Sequence, residues 1–252
     1  TNSSLDNEDG GAIYCNSSSP TITNCTFNGN IVVRHGGAIY CGNNSSPTVT
    51  NCTFNGNSVT WVFGCGGAIY CNSSSPTITN CTFNGNSVSR HRGGAIYCGN
   101  NSSPTVTNCT FSNNSAGDGG AIYCYDSNSP SIVNCTFSGN TAAYDGGGIY
   151  YKFSSPTIAN CTFSGNTAGD YGGAVYCEAS HPTLNNCILW GNSADDGGDE
   201  IYIHDTGSSC TLNYCCVDNT GYGGLGEIED SNNCIHDDPQ FVDAAGGDYH
   251  LK

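Results

Sequence analysis

Gly10-Gly11-Ala12-Ile13-Tyr14-Cys15 returns unchanged at Gly36, Gly66, Gly93 and Gly119, and weaker copies stand at Gly146 (GGGIYY), Gly172 (GGAVYC) and Gly197 (GGDEIY). The spacings are 26, 30, 27, 26, 27, 26 and 25 residues, and PTxTNCTF or a relative of it follows. A fixed period of this size builds a stacked solenoid, in which each turn buries its apolar face against its neighbours. Residues 10 to 30 are identical with 66 to 86, and 36 to 54 with 93 to 111, so a two-coil unit has been copied.

Outward from the hexapeptide, the copies align on the cysteine of NCTF. Three residues before it stands a branched apolar residue, Ile22 in the first copy, and two after it stands Phe27 or its equivalent. One residue before it is always asparagine: Asn24, Asn51, Asn80, Asn108, Asn134, Asn160 and Asn186. Five after it is asparagine again: Asn30, Asn57, Asn86, Asn114, Asn140, Asn166 and Asn192. The pattern reads as three short strands per coil. In Gly-Ala-Ile-Tyr-Cys, Ile13 and Cys15 point inward while Ala12 and Tyr14 point outward. Thr21-Ile22-Thr23 turns Ile22 inward, and Cys25-Thr26-Phe27 turns Cys25 and Phe27 inward. Asn24 makes a corner, because asparagine tolerates left-handed backbone. The stretch before each glycine pair varies most, which marks a solvated turn.

Helices are excluded by the glycine, proline and β-branched content. The expected fold is all-β: a right-handed parallel β-helix with about 26–30 residues per coil. One β-helix domain is expected over 1–252, with seven regular coils over 10–196 and degenerate coils plus a closing segment over 197–252. Coils spaced by roughly 4.8 Å give a rod on the order of 40 Å long.

Such stacking predicts side-chain columns. The two asparagine sets are expected to form amide ladders. Thr21/Thr23, Thr48/Thr50, Thr77/Thr79 and Thr105/Thr107 make a T-x-T rank on one outward face. Tyr14, Tyr40, Tyr70, Tyr97, Tyr123, Tyr150, Tyr176 and Tyr202 make a row expected outward on the first strand, able to stack on sugars or neighbouring rods. Many of the 18 cysteines fall in two inward columns and are expected as buried thiols. Cys65, Cys210, Cys215, Cys216 and Cys234 stand outside these columns and are the candidates for disulfide bridges.

Charged residues are only 10% of the chain, and the net charge is −16. Residues 1 to 112 hold three acids and three arginines; residues 113 to 252 hold the other 18 acids against two lysines. Without a basic patch, nucleic acid and anionic membrane are poor partners. No stretch reaches the roughly 20 apolar residues of a membrane-spanning helix. The cysteine load suggests an oxidising, extracellular setting, and a secreted chain that has lost its leader would begin like this one. No CxxC pair or recurring histidine suggests a metal, and no cofactor is expected.

GGAI with FxxN (Gly36 to Ile39 and Phe54 to Asn57, for instance) resembles the repeats of polymorphic outer-membrane proteins and other bacterial right-handed parallel β-helix proteins. Asp238-Pro239-Gln240-Phe241-Val242-Asp243 with Gly247 to Leu251 resembles the closing segment of secreted β-helix proteins. The resemblance implies the β-helix fold and a surface-displayed or secreted, often adhesive, protein. The cysteine columns depart from it.

Many parallel β-helices degrade polysaccharides, but that chemistry needs clustered carboxylates or a basic residue beside a calcium site. The outward strand faces show Ala, Tyr and Thr instead, so no enzyme is expected. The expected function is an extracellular structural or adhesive rod whose partner is itself, by head-to-tail stacking into a filament or by lateral association. Exposed strand edges at the ends invite such pairing. Sequons in the Ser-rich turn and nearby, at Asn16, Asn44, Asn72, Asn101 and Asn113, are candidate glycosylation sites. The alternative is an ice- or carbohydrate-binding surface that uses the Thr or Tyr rows.

Overall fold

The computed structural model describes residues 4–5, 9–126, 129–244 and 246–251. The first coil runs through four strands, Ile13–Asn16, Thr21–Thr23, Thr26–Asn28 and Ile31–Val32. Each strand pairs in parallel with its equivalents above, so four parallel walls rise along the rod for about eight coils. Pairing is in register: Ile69 faces Ile39 and Ile96, Tyr70 faces Tyr40 and Tyr97, and Cys71 faces Cys41 and Cys98.

The fourth wall was not expected. It occupies the start of the segment that varies between copies. Its two-residue strands place a small or β-branched residue inward, and Val32, Val59, Val88 and Ala116 are buried in a column of their own. Length variation begins only after this strand.

The glycine pair makes the corner into the first wall, and both positions are required. Gly66 has φ +69°, a left-handed conformation costly for a side chain. Gly67 has no room: a Cβ there would lie 2.1 Å from the carbonyl oxygen of Gly94 in the next coil. Directly after this corner the strand is irregular. Ala38 N and Ile39 N both donate to Ala68 O, at 2.9 Å each. The alternation therefore slips by one residue. Ala38, Ala68, Ala95, Ala121 and Ala174 face the core instead of pointing outward with the tyrosines.

Inside the walls, Phe27, Phe54, Phe83, Phe111, Phe137 and Phe163 stack with centroids 4.5–4.8 Å apart and planes within 7°. Leu189 and Val217 continue this column. In the coil of Gly146, Tyr151 replaces the usual cysteine and is fully buried, while Gly148 replaces the usual alanine. The smaller residue makes room for the larger one.

None of the 18 cysteines is in a disulfide. This corrects the expectation for Cys65, Cys210, Cys215, Cys216 and Cys234. Cys215 and Cys234 extend the NCTF column instead: Cys187 N donates to Cys215 Sγ at 3.5 Å, and Cys215 N to Cys234 Sγ at 3.4 Å. Within the column each sulfur accepts a main-chain N–H from the coil below and faces the carbonyl two residues back, as Cys52 does toward Cys25 N and Thr50 O. Cysteine thus serves as a small, buried corner acceptor. Unfolding the chain without reductant is expected to expose all 18 thiols to a thiol reagent; a lower count would mean bridges.

Candidate functional site

The inner asparagine set lies at the corner between the third and fourth walls. Asn30, Asn57, Asn86, Asn114, Asn140 and Asn166 are fully buried. Each Nδ2 donates to Oδ1 of the next coil at 2.7–2.9 Å. Each main-chain N–H reaches the same Oδ1, and from Asn57 onward Nδ2 also donates to the phenylalanine carbonyl of the coil below. The series stops at Asn192, where the Glu200 carboxylate replaces the next amide. Glu200 Oε1 accepts from Asn192 N at 3.2 Å and Oε2 from Asn192 Nδ2 at 2.6 Å. Beside it, Asp199 Oδ1 accepts from Ala194 N at 2.8 Å. The acidic pair that turns GGAI into GGDEI therefore closes the upper edge of the fourth wall, whose last strand is Ser193–Ala194. Burial pushes the Glu200 carboxyl up to about 7, against its bonds from Asn192.

The outer asparagines take left-handed corners, with φ of 53–56° from Asn24 to Asn186. Their amides run the opposite way, each bonding the coil below: Asn80 to Asn51, Asn108 to Asn80, Asn134 to Asn108, Asn160 to Asn134 and Asn186 to Asn160, at 2.7–3.2 Å. This ladder borders the threonine face. Thr21, Thr48, Thr77 and Thr105 are exposed and directly superposed; Thr23, Thr50, Thr79 and Thr107 form the adjoining column.

Of the sequon asparagines, Asn16, Asn44, Asn101 and Asn113 are exposed and Asn72 is half-buried. Asn16 and Asn72 accept amide bonds from Asn43 and Asn100. Asn44 and Asn101 line a shallow dent with Ser46, Ser73 and Ser75.

The tyrosine row lies on the outer side of the first wall, as expected, but most of it is covered rather than exposed. Only Tyr14 is largely exposed; Tyr40 and Tyr202 are half-buried, and Tyr70, Tyr97, Tyr123, Tyr150 and Tyr176 are buried. The rings stack with centroids 4.5–5.7 Å apart. Residues just before several of the glycine pairs are folded back over them. The His35 ring stacks on Tyr70 at 4.5 Å, and the Arg92 guanidinium sits 4.9 Å above the centre of Tyr123. Cys65 lies among the same rings, its Sγ 3.1 Å from His91 Nδ1, and burial raises its thiol to about 12. Surface stacking by this row is thereby overturned: an amphipathic ring this close to the wall is covered as soon as the turn is long enough to fold back.

Charged side chains engage one another beside the tyrosine row, which the expectation of plain outer faces missed. Arg92 faces Asp118 at 3.9 Å, and Lys152 Nζ meets Glu178 Oε1 at 2.6 Å. Tyr150 OH donates to Glu178 Oε2 at 2.7 Å, and Tyr176 OH lies 2.8 Å from His204 Nδ1. Asp145 Oδ1 accepts from Tyr171 N at 3.1 Å. Burial works against the Glu178 carboxylate, but Lys152 and Tyr150 hold it below the usual range. Burial and then Asp118 push Asp145 up to about 7. One carboxyl held ionised and one held protonated are the ingredients of acid–base chemistry. Here each already bonds a neighbouring coil. The signal was present in the alignment, since Tyr125, Lys152 and Glu178 share one register position.

Asp145 and Glu200 set a pH dependence. Both carboxyls stay protonated in the folded chain to about 7, whereas in the unfolded chain they ionise in the ordinary carboxylate range. Between those pH values the unfolded state has released protons that the folded state keeps, so stability falls as pH rises. Thermal melts are expected to show a lower Tm at about pH 8 than at about pH 5, and Glu200→Gln is expected to flatten that slope. An unchanged slope would place the effect elsewhere.

A cleft of about 750 Å³ lies where an antiparallel hairpin, Phe241–Asp243 with Asp248–Leu251, runs near the outside of the third wall. Trp190, Gly191, Phe241 and Tyr249 line it. Among the described residues no three of His, Cys, Asp and Glu gather as a metal site, and no helix is long and apolar enough to cross a membrane.

A superposed four-walled coil with a stacked aromatic core defines the class, a parallel β-helix. A family model for a right-handed beta helix region matches residues 1–103 and 94–250, and the chain belongs to that family. Neither the curated proteins nor the solved structures contain a match.

Proposed function

We propose that this protein is a non-catalytic, extracellular structural or adhesive rod that associates with copies of itself. The observation that carries the reading is the continuity of the columns: amide, aromatic and sulfur stacks run through the coils, and the carboxyls of Asp145, Glu178 and Glu200 bond neighbouring coils. The sequence likeness to polymorphic outer-membrane repeats supports surface display. Exposed sequons support glycosylation there, and burial of all cysteines except Cys25 and Cys234 suits thiols kept in an oxidising place. Head-to-tail growth would require the fourth wall to continue past Ser193–Ala194, where Glu200 and Asp199 already take the donors. Lateral association meets no such obstacle.

Imaging of the native material tests the reading. Rods on the order of 40 Å long, associated with one another or displayed as a surface coat, are expected. Release of reducing ends from a polysaccharide panel, abolished by Glu178→Gln, would overturn it in favour of an enzyme.

A second reading is favoured by the superposed threonines. Their spacing of roughly 4.8 Å along the rod makes a flat, regular hydroxyl and methyl array suited to ice or a crystalline polysaccharide. Measurable thermal hysteresis, lost in Thr77→Tyr, is the result that reading requires; freezing identical to that of an inert protein would remove it.

A further inference from the structure

The turns before the glycine pairs form one continuous stripe, and its charge changes sign half-way up. Trp61 N donates to Val33 O, Tyr144 N to Gly117 O and Asp170 N to Tyr144 O at 2.9 Å, and Asp196 N to Asp170 O at 2.8 Å. The turns therefore climb one coil at a time. Numbering coils from the pair at Gly10, Arg34 lies in coil one, Trp61 and Phe63 in coil two, and Arg90 in coil three. Gly117 lies in coil four, Tyr144 in five, Asp170 in six and Asp196 in seven. Trp61, Phe63 and Tyr144 are 41%, 60% and 48% exposed, far more than the tyrosines beneath the stripe. Arg34, Arg90 and Asp196 are exposed, and Asp170 is half-buried.

We propose that this stripe is a self-complementary interface through which two copies of the chain pair side by side and antiparallel. The twofold axis passes through the turn at Gly117. Under that operation coil one faces coil seven, two faces six and three faces five. Arg34 meets Asp196, the Trp61 indole N–H meets the Asp170 carboxylate, and the Arg90 guanidinium covers the Tyr144 ring. Every contact occurs twice, as a closed isologous pair requires. Gly117, with no side chain, meets its own copy at the axis and lets the backbones approach.

Charge selects the occupant. The chain carries net charge −16, and its three arginines all lie in coils one to three. An acidic surface with an aromatic ring at matching spacing is what that half fits, and the upper half of a second copy supplies it. Repulsion between two acidic rods opposes the approach, so the pair is expected to be weak and sensitive to salt.

The pairing deepens the self-associating reading and rests on it for the identity of the partner. Charge reversal with mixing tests it by sedimentation velocity at about 0.15 M salt. The wild-type chain is expected to form a dimer and nothing larger. Arg34→Glu/Arg90→Glu makes the lower contact positions acidic like the upper ones, and Asp170→Lys/Asp196→Lys makes the upper contact positions basic like the lower ones; each variant alone is expected to dissociate about tenfold or more readily. Mixed, the two variants are expected to form a heterodimer, because both halves are again opposite in sign. A monomeric wild type, variants that still pair, or a mixture that stays monomeric overturns the proposal. An open-ended oligomer series unaffected by the variants also overturns it, while leaving self-association by the rod ends standing.

Discussion

Asn86→Ala is expected to lower the unfolding free energy by about 2–6 kcal/mol, although it removes only a side-chain amide. Asn86 Oδ1 accepts both the main-chain N–H and Nδ2 of Asn57, and its own Nδ2 donates to Phe54 O and Asn114 Oδ1. Truncation strands donors of Asn57 at a fully buried position, where no water replaces the lost acceptor. The matched control is Asn80→Ala on the exposed outer ladder. There solvent takes over the amide bonds, and the remaining cost is left-handed backbone at φ +54°, about 1 kcal/mol. Urea unfolding of the two variants side by side checks the contrast; equal costs would mean that the inner ladder contributes no more than a surface corner.

Phe111→Ala is expected to cost about 3–5 kcal/mol. Phe111 is fully buried between Phe83 and Phe137, each 4.8 Å away ring to ring. In-register main-chain pairing on both sides keeps the coils from collapsing into the hole. Phe27 has a stacked phenylalanine on one side and retains some exposure, so Phe27→Ala is expected to cost less. A Tm loss for Phe27→Ala matching that of Phe111→Ala would contradict a core built by stacking.

The columns were legible because identical residues at a fixed period have one simple arrangement. The asparagine corners and the cysteine after them carry that signal in all seven regular copies, and phenylalanine in six. The fourth wall was hidden by its brevity: two residues such as Ser58–Val59 are too few for alternation to show, and the variable loop follows directly. Tyrosine burial was hidden for another reason. Alternation assigns Tyr123 to the outer face correctly, but it is silent about whether a later segment folds over that face, as Arg92 does. The inward alanines depend on a slip that only the carbonyl shared by Ala38 N and Ile39 N reveals. Cys65, 3.1 Å from His91 Nδ1, takes the position of His35 and Arg92 before a glycine pair, but no other copy has cysteine there, so its place among the rings had no repeating signal.

The central claim is that neighbouring coils are held together column by column. A double-mutant cycle tests it most directly. Asn86→Ala combined with Asn114→Ala, one coil apart and bonded at 2.9 Å, is expected to show a coupling of about 1 kcal/mol or more. Asn86→Ala combined with Asn166→Ala, three coils apart, is expected to be additive within about 0.5 kcal/mol. Coupling of equal size in both pairs, or in neither, would contradict the account.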